Sequence, residues 1–141
     1  MNIGRSIHIL SRQVKRKIDE AVNKYNVTSV QCGFIEYISH ESKKGNVYAK
    51  NIERKFNMRR ATVAEILSLM EKNGLIERKS NESDGRLKQI ILTDKSLEIK
   101  NNIKKEMDKV EKEIKQGLTE DEISKFMWTL NKMSENLEHI G

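Results

Sequence analysis

Apolar residues recur at helical spacing along almost the whole chain, and the pattern breaks in the middle, at "SDGRLKQIILT", Ser83 to Thr93. Recurrence at i, i+3, i+4 and i+7 buries one face of a helix, whereas an Asp-Gly pair before a β-type apolar run signals a hairpin. A fold that satisfies both is mainly α with one small ribbon at its centre. The chain contains no proline, so nothing at the backbone level interrupts long helices and no Pro-rich linker separates modules.

Ile3, Ile7, Leu10, Val14 and Ile18 define a first amphipathic helix, with Arg5, Arg12, Lys15, Arg16 and Lys17 on its other faces. A second begins near Thr28 or Ser29, either of which can cap it, and buries Phe34, Ile35 and Ile38 before the polar loop "SKKGN". A short third helix covers Tyr48 to Phe56. After the tight connection "NMRR", a fourth carries the stripe Val63, Ile66, Leu67 and Met70 and is closed by Gly74. Two short helices joined by so short a turn form a helix-turn-helix. "LIERK" and "LKQIILT" then flank the polar tip "SNESDG" as a hairpin. The helix returns at Asp94, with Leu97, Ile99, Ile103, Met107, Val110 and Ile114 as apolar positions. Thr119 and Glu122 make a capping-box pattern, and Ile123, Phe126, Leu130, Met133, Leu137 and Ile140 run down a last helix. The expected fold is a winged helix-turn-helix of order α-α-α-α-β-hairpin-α-α.

A length of 141 residues suits one compact domain with a real core. Lys and Arg number 27 against 21 Asp and Glu, a net charge of +6, which suits a polyanionic partner. The single cysteine, Cys32, excludes an intrachain disulfide framework and a Cys-based zinc site. No signal-peptide pattern opens the chain and no apolar run nears the roughly 20 residues of a membrane span, so a soluble, cytoplasmic protein with no membrane partner is expected. His8, His40 and His139 lie on separate elements, and no His/Cys/Asp/Glu cluster has ligand spacing; neither a metal nor a cofactor is expected. There is no Gly-rich phosphate loop, nucleophile elbow or paired acid and base, which argues against an enzyme.

If Val63, Ile66, Leu67 and Met70 face the core, Arg60, Ala61, Ala64, Glu65 and Ser68 face outward, on a helix of a size that fits the major groove of B-DNA. Small side chains there permit close approach. Arg59 and Arg60 reinforce the positive end of the helix dipole, where a phosphate or guanine edge can bind, and Thr62 can reach a phosphate or a thymine methyl. The hairpin places Arg86 at the end of a stiff arm suited to a narrow minor groove. Asp84, across the Gly85 turn, can orient that guanidinium. Arg78, outside the tip, adds phosphate attraction, and Lys88 completes the expected DNA-binding set. Taken alone, the helix arginines are equally well a solvated helix start, and the Asp84 and Arg86 pair a surface ion pair worth about 0–1 kcal/mol.

From Val27 to Thr93 the chain is similar in order and spacing to the MarR family of bacterial and archaeal transcription regulators. The most specific parts are "LMEKNGLIER" at the exit of the fourth helix and Asp84-x-Arg86, followed by a strand ending in "LT". The resemblance implies a homodimer whose terminal helices interlock: a single domain over 1–141, with dimerisation helices at 1–26 and 94–141 and a DNA-binding lobe at 28–93. Ile7, Leu10, Val14, Phe126, Leu130 and Leu137 are the expected dimer contacts, and Trp128 is read with Phe126 as core or dimer packing. It further implies a repressor on double-stranded DNA, binding a pseudo-palindromic operator with recognition helix 60–73 in the major groove and wing 77–92 in the minor groove. Small aromatic effectors are common in the family, and nothing in the sequence identifies one. Arg59 departs from the family's usual Ser, Thr or Asp N-cap, and the acidic Glu65 either accepts from a cytosine amino group or excludes phosphate. Cys32 reads as a small packing residue; a redox-sensing thiol is the sharper alternative, at a position that does not match the family's sensing cysteines. The competing reading is a helical adaptor that binds partner helices through its apolar termini, for which a central hairpin with an arginine tip has no use.

Overall fold

The computed structural model describes residues 1–80, 83 and 85–138; Asp84, His139 and Ile140 lie outside them. Six helices and one ribbon follow in the order α1 (Ile3–Asn23), α2 (Ser29–Glu41), α3 (Ala49–Phe56), α4 (Arg60–Lys72), β1 (Ile76–Ser80), β2 (Lys88–Leu92), α5 (Asp94–Lys115) and α6 (Glu120–Glu138). The strands are antiparallel, paired from Ile76 with Leu92 to Ser80 with Lys88. The chain forms two compact units, Met1–Met107 and Asp108–Gly141, and the division falls within α5.

In the first unit, side chains set where helices start. Asn2 caps α1 by accepting from Arg5 N–H at 2.8 Å. Of the two candidate caps for α2, Thr28 is the one used. Its hydroxyl accepts from Gln31 N–H at 3.1 Å while Gln31 Oε1 accepts from Thr28 N–H at 3.0 Å, a reciprocal capping box. Ser29 instead donates to Asp19 of α1 at 2.9 Å. Lys15 Nζ donates to the same carboxylate at 2.9 Å, and these two bonds, Lys15's foremost, hold Asp19 below the usual carboxylate range. Tyr48, expected inside the third helix, is its N-cap: its N–H donates to Asn51 Oδ1 at 2.8 Å.

The core of this unit gathers Phe34, Ile35 and Ile38 of α2, Ile52 of α3, Val63, Leu67 and Met70 of α4, and Ile76 and Ile90 of the ribbon, all buried. Each such side chain contributes about 1.5–3 kcal/mol relative to exposure. Ile66, expected in the same stripe, packs at its margin, partly buried. The Phe34 and Phe56 rings sit 5.0 Å apart, tying α2 to α3, and Tyr37 meets Phe56 edge-on at 5.9 Å. Ile90 N–H donates to Val47 O at 2.8 Å, which fastens the ribbon to the segment entering α3.

In the second unit, Gly117 at φ +80° closes α5, and Thr119 and Glu122 form the expected capping box, with bonds of 3.0 and 3.1 Å. Among the described residues α6 buries none fully. Trp128 is 69% exposed. Phe126 is 53% exposed as well, so within one chain neither ring is a core residue.

Candidate nucleic-acid interface

The interface is built around the turn between α3 and α4. Asn57, at φ +50°, takes the left-handed conformation that Asn tolerates better than most residues, and the chain there closes α3 with Asn57 N–H on Arg54 O at 3.4 Å and Met58 N–H on Glu53 O at 3.0 Å. The helix α4 then starts immediately. Its N-cap, Arg59, has extended backbone and makes no side-chain capping bond, and the first turn carries no acid. The unpaired amides of that turn and the exposed side chains of Arg59 and Arg60 therefore concentrate positive potential at one helix end.

Because Val63, Leu67 and Met70 are fully buried, the rotation of α4 is settled. Arg60, Ala61, Thr62, Ala64, Glu65 and Ser68 are all exposed. Leu69, 49% exposed, joins them. Its position four residues after Glu65 and off the core stripe is the sequence signal for that placement.

The wing presents Arg86 and Lys88 to solvent, whereas the Asp84 half of the expected orienting pair lies outside the described residues. Between α3, α4 and the ribbon runs a groove of about 500 Å³ whose wall includes Lys50, Glu53, Arg60, Arg78, Arg86 and Lys88. Lys50 is a basic residue the sequence reading missed; it stands two positions before the buried Ile52, on the outward side of α3.

Arg78 sits in a different environment from Arg86 and Lys88. Side chains along a strand alternate faces, so Arg78 shares the inward face with buried Ile76, and its side chain is only 24% exposed. Its Nε lies 3.7 Å from Glu71 Oε1, a charge contact with the last turn of α4, and Nε and Nη2 are buried with no hydrogen-bond partner. It is packed against α4 and forms part of the groove wall.

Away from this face, Ile18, Val22, Cys32, Ile35, Ile103 and Met107 wall an apolar cavity of about 250 Å³ between α1, α2 and α5. Cys32 is half-buried there. Burial pushes its thiol pKa up and the Glu36 carboxylate adds to the effect, so both favour the protonated, unreactive form. Of the expected dimer contacts, Ile7, Leu10, Phe126 and Leu137 are exposed, and Val14 and Leu130 are half-buried. Among the described residues no group of three or more His, Cys, Asp or Glu could hold a metal ion, and no helix is long and apolar enough to cross a membrane.

Residues 42–88 match the model of the MarR family. The HTH-type transcriptional regulator MgrA of Staphylococcus aureus is 32% identical over 129 residues, covering 91% of this chain and 84% of its own. Among solved structures, MepR, a transcription regulator of the Staphylococcus aureus multidrug efflux pump MepA, superposes with a TM-score of 0.86 at 21% identity, covering 97% of this chain and 99% of its own. A point mutant of MepR bound to an oligodeoxyribonucleotide superposes with a TM-score of 0.75 at 22% identity, over 97% and 99% of the two chains.

Proposed function

Because the chain belongs to the MarR family of transcriptional regulators, we propose that it works as a homodimer that binds a pseudo-palindromic operator and represses by occupying it. The observation that carries this is the exposed face of α4, small in its middle, cationic at its N-terminus and flanked by the exposed Arg86 and Lys88 of the wing. Ala61, Ala64 and Ser68 let the helix lie close to base edges in the major groove, where Arg60 and Thr62 make the first contacts and Glu65 selects against bases without an amino donor. Arg59 holds a phosphate at the helix start. Arg86 enters the minor groove, oriented by Asp84, and Lys88 meets the adjoining phosphates. Residues 28–93 form the DNA-binding lobe. Residues 1–26 and 94–141 form the dimer through Ile7, Leu10, Val14, Phe126, Leu130 and Leu137, and the exposure of Ile7, Leu10, Phe126 and Leu137 in a single chain supports a missing partner. The apolar cavity beside Cys32 suits a small apolar effector. A regulator of this kind acts in the cytoplasm and needs no cofactor or metal. The DNA-bound MepR mutant supports the same use of the fold.

The test is a gel-shift titration at fixed salt on duplexes from the protein's own genomic neighbourhood, with Arg60→Ala and Arg86→Ala alongside the parent. Sequence-specific binding that both substitutions weaken is the expected result. Equal binding to every duplex, indifferent to both arginines, would leave an adaptor as the better reading.

A further inference from the structure

The exit of α4 is fastened twice. Gly74, at φ +75°, and Leu75 complete a Schellman closure, with Gly74 N–H on Glu71 O at 3.1 Å and Leu75 N–H on Met70 O at 2.8 Å. That closure suffices to end the helix. Yet the carbonyls of Asn73 and Gly74 are also taken, by side chains from the start of α5: Thr93 Oγ1 donates to Gly74 O at 2.6 Å and Lys95 Nζ donates to Asn73 O at 2.8 Å. Thr93 N–H also reaches Leu75 O at 3.3 Å.

The same Thr93 hydroxyl works in the opposite direction. It accepts from Ser96 N–H at 3.3 Å while Thr93 O accepts from Leu97 N–H at 3.1 Å, which makes Thr93 the N-cap of α5. Ser96, fully buried, returns its hydroxyl to Thr93 O at 2.9 Å. One oxygen thus opens α5 and grips the end of α4, so neither helix end can shift without breaking a bond at the other. The ribbon, residues 76–92, leaves from and returns to this same point.

We propose that Thr93, assisted by Lys95, is a positioning residue that fixes the reading helix against α5 and thereby sets the spacing of the two reading helices in the dimer. This rests on the operator-binding reading above. Neither residue needs to touch DNA. The consequence lies in discrimination between half-site spacings, because a loosened pin lets each reading helix adjust to a site that is out of place.

The experiment compares the operator selected by the parent protein with the same duplex carrying one base pair inserted between half-sites, which turns one half-site by about 35° and moves it by about 3.4 Å. Full-length parent, Thr93→Val, Thr93→Ser and Lys95→Met are titrated on both at several salt concentrations. Thr93→Val is expected to shrink the preference for the native spacing about fivefold or more, the loss of one to two hydrogen bonds. Thr93→Ser is expected to restore that preference, and the salt slope to stay unchanged in all four proteins. A preference that Thr93→Val leaves intact, or a slope that falls by about one charge as for a direct phosphate contact, overturns the proposal. If Thr93→Val fails to fold, Lys95→Met at its exposed position carries the test: a reduced preference upholds the pin and an unreduced one overturns it. A parent protein with no operator preference at all overturns the DNA-binding reading and this one with it.

Discussion

Arg78 and Arg86 belong to one hairpin and face opposite environments. Arg86 stands exposed beyond the paired strands, and its replacement by Ala is expected to weaken operator binding by about 1–3 kcal/mol and to lower the salt slope by about one. Arg78, folded against Glu71, is expected to behave differently. Arg78→Ala should leave the salt slope unchanged and shift the urea midpoint little, because two of its guanidinium nitrogens are buried without hydrogen bonds and its ion pair is long. The two arginines look alike in sequence; Arg78 is paired with buried Ile90 inside the ribbon, which Ile76 two positions earlier made readable, whereas Arg86 precedes β2 and lies beyond the paired strands. Cys32 is a case where residue type says little and surroundings decide. With its pKa raised by burial and by Glu36, the thiol is protonated at neutral pH, and its alkylation should be slow there and quicken only as pH climbs past the ordinary cysteine range. Peroxide should accordingly leave operator binding unchanged in both the parent and Cys32→Ser. A peroxide-induced release that vanishes in Cys32→Ser would make it a sensor.

At the scale of elements, what was legible was whatever depends on short-range chemistry. The stripe of α4 and its Gly74 closure, the Thr119 and Glu122 capping box and the hairpin all appear where spacing and turn residues put them. Two features were not legible because tertiary contacts choose between equivalent local options. Thr28 and Ser29 are both good caps, and Ser29 is drawn away by Asp19 on another helix. Asn57 adopts a left-handed backbone that nothing in "NMRR" demands. It is the docking of α3 against α4 that requires it. The pin at Thr93 likewise joins residues 19 positions apart, beyond the reach of any periodicity. Asn57 gives a direct check: Asn57→Gly should be neutral or stabilising, whereas β-branched Asn57→Val should cost about 1–2 kcal/mol in urea unfolding. Equal stability of the two would mean that the turn relaxes to another conformation.

For the whole molecule, the apolar residues that one chain leaves in water are the main support for the proposed dimer. Ile7 and Leu10 on α1 and Phe126 and Leu137 on α6 are exposed in helices whose spacing aligns them as stripes. Leu10→Glu is expected to shift sedimentation at micromolar concentration from dimer toward monomer and to weaken operator binding in parallel, since one lobe holds only one half-site. A parent protein that sediments as a folded monomer would remove the basis for a palindromic operator. The charge of +6, the basic face of α4 and the proposed dimer meet in one measurement: hydroxyl-radical footprinting of the selected operator with the intact protein. Two protected patches about 34–36 Å apart, related by the operator's two-fold axis and saturating at two chains per duplex, are the predicted result. A single protected patch filled by one chain, or uniform protection without position, would contradict it.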